Sequence, residues 1–384
     1  MTSPFARHPR LALAVLAAVL AGALLAIWSG PPARASDALS TTPAAGVPAA
    51  EAVLVARSAG NHDALWLLSP VDGTPTAAGV LPGEAGTVAL SPDGQNVAYL
   101  PESSAPRVWI GYGPLAPKVI SLASIGVKRA DSMCWIDDHR MLVAGVTSRS
   151  ASLRLDRLYV VDVATGRVRS FRGLNGAEPS LAALAGKVAY VKFTITVRGT
   201  AGNGYTPTIR ESLKLLSLSG TGAGRTVWSE ENQAFAEYRA LSQPRVSPDA
   251  RWYLTGVTGS DVRVTYDVRD RWGYPILSVF TPALQAAAGW DVAGRHTAFA
   301  GIVGIDDQSP CVWIYDVATG SLMRSASGVI PSSLIDSLAW SPSGQLVANA
   351  YGLEAGAPHN LVLPGDLASC VDIGRGRLPV WVRQ

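Results

Sequence analysis

Few side chains in this sequence could do chemistry, and their spacing is poor. The five histidines stand at 8, 62, 139, 296 and 359 and show no metal-ligand spacing. His62 and His359 could meet if the chain closes on itself, although a chance surface pair explains them as well. Cys134, Cys311 and Cys370 make an odd set, so at least one is unpaired. Cys134 reads as a small buried hydrophobe beside Trp135, and spacing gives no support to a Cys311–Cys370 bridge. No Cys-x-x-Cys or His/Cys group is present, which argues against structural zinc. The pair Asp306-Asp307 falls short of the oxygen ligands calcium needs. The sequence therefore nominates no catalytic residue, no metal and no cofactor. What it offers is recognition chemistry. Arg149, Arg154, Arg198 and Arg210 flank long loops with Tyr205 at a tip, and Asp306, Asp307 and Glu354 stand on later loops. Such a bipolar rim could orient a partner, and solvated loop charge is the plain alternative. Arg269-Asp-Arg-Trp-Gly-Tyr274 supplies a second set: Arg269, Arg271, Trp272 and Tyr274. Arg, Trp and Tyr together are typical of interface anchors, while Trp272 as a cap on a sheet edge is the bland reading.

These residues need elements to hold them, and from residue 51 the elements read as strands. Val97–Leu100, Val108–Ile110, Leu158–Asp162 and Val312–Asp316 are rich in branched and aromatic residues and bounded by Gly, Pro, Asp and Ser. A tight turn recurs after an apolar strand, at Ser91–Gly94, Ile136–His139, Ala183–Gly186, Ser247–Ala250, Asp291–Gly294 and Ser341–Gly344, with starts 45, 47, 64, 44 and 50 residues apart. A second turn recurs at Val71–Gly73, Ala164–Gly166, Ser219-Gly220 and Ala318–Gly320. Each follows a strand with Trp66, Tyr159, Leu215 or Trp313 in register. Units of about 45 residues with four strands are the size of propeller blades. Six such turns give six blades. The strand ending Leu378-Pro-Val-Trp381 ends in Trp like those ending at Trp135, Trp290 and Trp340. It is expected to become the inner strand of the first blade. The sequence thus predicts an all-β, seven-bladed propeller over residues 51–384, with a sandwich pair as the alternative. Strand alternation puts the tight turns on one face. The expected insertions Thr147–Asp156, Gly199–Thr208, Ser229–Gln243 and Gly304–Pro310 fall on the other.

Composition agrees. Of 384 residues, 48% are hydrophobic and 16% charged, which excludes disordered, collagen-like and coiled-coil chains. The net charge of +3 comes from 32 basic and 29 acidic residues. Arg7, Arg10 and Arg34 account for the excess, so the remainder is neutral and gives no cause to expect nucleic acid. Arg7 and Arg10 precede an apolar run from Leu11 to Trp28. A Ser29-Gly-Pro-Pro32 breaker and Ala33-Arg-Ala35 follow. That order reads as a secretory signal peptide over residues 1–35, with a flexible lead over 36–50. An uncleaved anchor through residues 11–28 is the rival, and would be the only membrane contact.

The repeat, an apolar strand, Ser-Pro-Asp-Gly and a second strand ending in Ala-Tyr, resembles the WD40-like (PD40-type) repeat of TolB-type periplasmic propellers over about residues 51–384. Similar repeats occur in prolyl-oligopeptidase-type propellers and in exported proteins of high-GC Gram-positive bacteria, whose genomes suit 27 Arg against 5 Lys. The chain lacks the TolB N-terminal α/β domain, so TolB's translocation partners are not carried over. It lacks a hydrolase domain and a G-x-S-x-G elbow as well. The resemblance implies an exported, monomeric scaffold that binds a protein or peptide in the cell envelope. A lyase or glycoside-cleaving enzyme with its site at the channel mouth is the alternative, and a membrane-anchored sensor or accessory subunit is a third reading.

Overall fold

Strand-forming residues separated by tight turns can bury two faces of a small sheet only by stacking sheets radially. The computed structural model does this. It describes residues 51–102, 105–111, 116–147, 156–198, 206–233, 240–258, 264–281, 287–302, 310–326, 328–331, 334–351 and 358–383. The predicted signal and lead lie outside them. Among the described residues no helix is long and apolar enough to cross a membrane.

Seven four-stranded antiparallel sheets form seven blades. Blade one uses β1 (Glu51–Ser58), β2 (Asp63–Leu68) and β3 (Pro75–Val80). Blade two is β4 (Ala85–Leu90), β5 (Val97–Pro101), β6 (Arg107–Ile110) and β7 (Lys118–Ser121). Blade three is β8 (Arg129–Trp135), β9 (Arg140–Val146), β10 (Asp156–Asp162) and β11 (Val168–Asn175). Blade four is β12 (Ala177–Ala182), β13 (Lys187–Arg198), β14 (Thr206–Ser217) and β15 (Arg225–Gln233). Blade five is β16 (Ala240–Val246), β17 (Tyr253–Thr258), β18 (Val264–Arg269) and β19 (Pro275–Thr281). Blade six is β20 (Ala287–Trp290), β21 (His296–Ile302), β22 (Pro310–Asp316) and β23 (Ser321–Arg324). Blade seven is β24 (Leu334–Trp340), β25 (Leu346–Tyr351), β26 (His359–Leu363) and β27 (Val371–Arg375). The last strand, β28 (Arg377–Arg383), pairs antiparallel with β1 and completes blade one from the inside, as the sequence predicts.

Each inner strand touches the inner strands of both neighbours, so the ring is closed. The core lies between blades. At the closing junction Val53, Val55, Leu68, Val347, Val362, Ile373 and Trp381 form one buried cluster. The inner-strand tryptophans serve a shared purpose. Each donates its indole N–H to a carbonyl of the preceding inner strand: Trp135 to Ala89 (3.0 Å), Trp290 to Arg245 (3.1 Å), Trp340 to Gly289 (3.3 Å) and Trp381 to Ala339 (3.1 Å). A large apolar ring thus fills the wedge between blades while its one polar atom is satisfied. The turns behave as their residues require. Ser91 and Ser247 are buried, each donates its hydroxyl to the turn Asp, and each accepts the N–H of Asn96 or Trp252.

A further set of ties crosses the turn face. Lys118 donates to the carbonyls of Val163 and Ala164 in blade three. Arg172 donates to those of Ser217 and Leu218 in blade four, and Arg225 to that of Arg271 in blade five. An outer-strand cation thus caps the outer turn of the next blade, at separations of 45 or 46 residues.

One reading of the loops changes. Of the expected insertion Gly199–Thr208, residues 199–205 lie outside the described residues and Thr206–Thr208 begin β14, which pairs with β13 over twelve residues from Lys187↔Ser217 to Arg198↔Thr206. Ser229–Gln243 is in large part strand: Ser229–Gln233 ends β15 and Ala240–Gln243 begins β16. Cys134, Cys311 and Cys370 are all free, so the Cys311–Cys370 bridge does not form. His62 lies beside Asn61 and His359 pairs with Asp372.

Closure depends on a buried ion pair. Asp63 is wholly buried, and Arg377 at the start of β28 reaches both its oxygens at 3.0 and 2.9 Å and Glu102 of blade two at 2.9 Å. Asp63 also accepts the Ala85 N–H at 2.8 Å. Removing Arg377 strands a buried carboxylate. Arg377→Ala is expected to cost about 3–5 kcal/mol, read as a fall in the urea midpoint, with Arg377→Lys recovering part of it. A change within about 0.5 kcal/mol, the range of an ordinary surface substitution, would show that the pair does not hold the ring shut.

Candidate functional site

The blade-five outer turn joins β18 to β19 through Asp270–Tyr274. The Asp270 carboxylate accepts the N–H groups of Trp272 and Tyr274, both at 2.9 Å, and the Asp270 N–H donates to the Tyr274 carbonyl at 2.9 Å. Gly273 sits at φ +90°, and a Cβ there would stand 2.2 Å from the Val227 carbonyl of blade four. Only glycine fits such a close, left-handed position.

Below the turn lies its support. Arg269 is 6% exposed, pairs with Asp267, donates to the Gly273 carbonyl at 2.9 Å and lies 4.1 Å over the Trp228 ring. Ser278 donates to the other oxygen of Asp267 at 2.6 Å. The charge is thus paired, hydrogen-bonded and stacked, which is what its burial demands. Arg225 of blade four holds the turn from outside through the Arg271 carbonyl at 2.7 Å.

Trp272 and Tyr274 stand on this support 60% and 69% exposed, with the Arg271 guanidinium 4.4 Å over the Trp272 ring. Other turn tips on the same face are also apolar. Leu184 tips the inner turn of blade four and Val292 that of blade six, both exposed. Between them lies Pro248 of blade five, whose carbonyl accepts the Ala185 N–H at 3.1 Å and whose ring faces Gly294. Blades four to six therefore present an apolar sector on the turn face, which the tight turns alone did not suggest.

The sequence candidates separate into groups. Arg271, Trp272 and Tyr274 come together at the surface. Arg269 does not join them. Its burial makes it a support for the turn, because its stacking partner Trp228 belongs to the previous blade. Arg198 ends β13 opposite Thr206, and Arg210, exposed on β14, stands between Thr194 and Glu231. Arg149, Arg154, Tyr205, Asp306, Asp307 and Glu354 lie outside the described residues, so the bipolar rim rests on sequence alone.

A second group, missed in the sequence, lies at the loop-face ends of the inner strands. Every inner strand slips register there against its partner. Such bulges re-aim side chains. Three of the bulges carry an acid four residues before the strand's last position: Asp131, Glu178 and Asp336. That spacing was the available signal. Asp131 pairs with Arg129. Burial pushes the Asp336 carboxyl above the ordinary carboxylate range, with Arg377 opposing the shift. Tyr351, at the end of β25, feels Asp336, Arg377 and Glu102, though burial dominates in raising its phenol. Both oxygens of Asp63 and one of Glu102 are already engaged by Arg377. Among the described residues no group of three or more His, Cys, Asp or Glu is arranged for a metal.

No protein-family model matches the chain, and no curated protein matches it. Solved structures do. An oligogalacturonate lyase in complex with manganese aligns at 13% identity and TM-score 0.51, over 85% of each chain. The propeller domain of the Trilobed protease from Pyrococcus furiosus, described as having an open velcro topology, aligns at 11% identity and TM-score 0.51, over 86% of this chain and 96% of that one. TolB from Acinetobacter baumannii aligns at 16% identity and TM-score 0.43, over 87% of this chain and 83% of that one. At such identities the likeness of the first two is one of propeller fold alone.

The support and the surface of the blade-five turn should separate on mutation. Gly273→Ala is expected to lower stability by about 1–3 kcal/mol from backbone strain, whereas Trp272→Ala should stay within about 0.5 kcal/mol. Urea denaturation of the two variants decides it. Equal losses would mean that Trp272 is part of the core.

Proposed function

We propose that the protein is an exported, non-enzymatic propeller that binds a protein partner in the cell envelope through the turn face of blades four to six. One observation carries the reading: Trp272 and Tyr274 stand exposed on a turn whose supports, Arg269, Asp267 and Trp228, are fixed beneath it. Water does not favour a rigid exposed Trp–Tyr pair, and clusters of this kind mark interaction surfaces. Rigidity lowers the ordering cost of binding. The partner chemistry that fits is an apolar segment with an acidic residue. The Arg271 guanidinium lies over Trp272, with no carboxylate partner among the described residues. The export part of the reading rests on residues 1–35, and sequencing that finds Ser36 as the mature N-terminus would support it. Retention of residues 11–28 would instead make the protein a membrane-anchored accessory subunit.

The channel-mouth enzyme is the second reading, and Asp336 is the observation that favours it. A carboxyl whose pKa is raised by desolvation can act as an acid.

Affinity capture from envelope extract, followed by titration of the captured protein, tests the first reading. The Trp272→Ala/Tyr274→Ala double variant should bind at least about tenfold more weakly, as hot-spot aromatics do, while melting with the wild type. Capture unchanged by the double variant would remove the turn face from the proposal.

A further inference from the structure

The outer strand of a blade is a sheet edge, and natural edges carry charges, prolines or irregularities that stop other strands from pairing. Most of the outer strands here are guarded. β7 carries Lys118, β11 Arg169 and Arg172, β15 Arg225, Glu230 and Glu231, β23 Arg324, and β27 Asp372 and Arg375. β3, Pro-Thr-Ala-Ala-Gly-Val, has no charge, but it is built of small residues and holds Gly79 at φ +136°. β19 differs from all six. Its sequence, Pro-Ile-Leu-Ser-Val-Phe-Thr, is uncharged, bulky and β-favouring, and it is the last strand of its sheet. Pro275 blocks its first position and the register slips at Ile276, so the regular ladder runs from Leu277. Ile276 is 42% exposed.

This edge continues directly from the Trp272–Tyr274 turn. We propose that β19 is a docking edge that accepts an extended segment of the partner as a fifth strand of blade five, by β-strand addition. The inference rests on the turn-face reading and specifies its mode. The segment it fits is uncharged and apolar-alternating along Ile276–Val279, with an acidic residue at the end beside Arg271. Charge favours such a segment over a second copy of this chain. The sequence flanking β19 on its far side, Pro-Ala-Leu-Gln-Ala at 282–286, has no acid to meet Arg271 in an antiparallel self-pair.

The probe is a fluorescein-labelled seven-residue peptide that alternates threonine with valine and ends in glutamate, so that antiparallel docking sets the glutamate beside Arg271. Binding is followed by anisotropy and by hydrogen exchange on the wild-type protein. The expected result is saturable binding with Kd below about 1 mM, exchange slowed across Ile276–Val279, and at least a tenfold loss for Ile276→Lys. Lysine adds attraction for the acidic probe, so a loss there reads the edge and not the charge. Arg271→Ser should weaken the glutamate probe and leave a glutamine-ended probe unchanged. Absent binding, binding without slowed exchange in β19, or equal binding to Ile276→Lys overturns the docking edge. So does self-association of the wild type that Ile276→Lys abolishes. None of these touches the turn-face reading, which stands or falls on capture by the Trp272→Ala/Tyr274→Ala variant.

Discussion

A ring of blades must close, and in this chain closure falls to one strand. Until β28 pairs with β1, blade one has three strands and the faces of blades one and seven have lost their shared cover. The strand carries two grips. Trp381 fills the wedge against blade seven and donates to Ala339, and Arg377 neutralises the buried Asp63 while reaching blade two through Glu102. A carboxylate that is 0% exposed is tolerated only with its counter-ion in place. Apolar burial and charge neutralisation therefore arrive together, from residues more than 300 positions apart in the chain. Every turn and loop takes its place from that closed ring.

How much of this was legible depended on how local the physics was. Turn chemistry is local: the Ser and Asp of Ser91–Gly94 bond the backbone within five residues. The blades could therefore be counted from the sequence, and Trp at inner-strand ends pointed to the closing strand. Interactions between blades are not local. Lys118, Arg172 and Arg225 look like ordinary surface cations until the ring sets each beside the next blade's turn. Arg269 looks like an interface residue until Trp228, in the previous blade, covers it. The extent of the β13–β14 hairpin escaped because a repeat count gives the spacing of units and not the length of their strands, although branched residues there continue the ladder. The inner-strand bulges escaped for a related reason. A bulge is defined by the partner's register, which no single strand reveals.

The repeat also gives a measure of what is unusual. Tryptophan wedges, capped turns and outer-strand cations recur because each blade solves the same packing problem, so they say little about a partner. Blade five departs from them twice in one place. Its outer turn places two aromatics in water, and the strand that follows has no edge charge. Either departure alone could be neutral drift at a surface. Together they run against two pressures on folded sheet proteins, which are to hide aromatic surface and to guard open edges. The buried support makes the same point from below. Arg269, Asp267, Ser278 and Trp228 fix a turn that would need no such fixing if its only role were to connect two strands. Aromatic side chains with two χ angles on a fixed turn lose little freedom when covered. The blade that looks least economical as an isolated sheet is therefore the one on which the proposed binding rests.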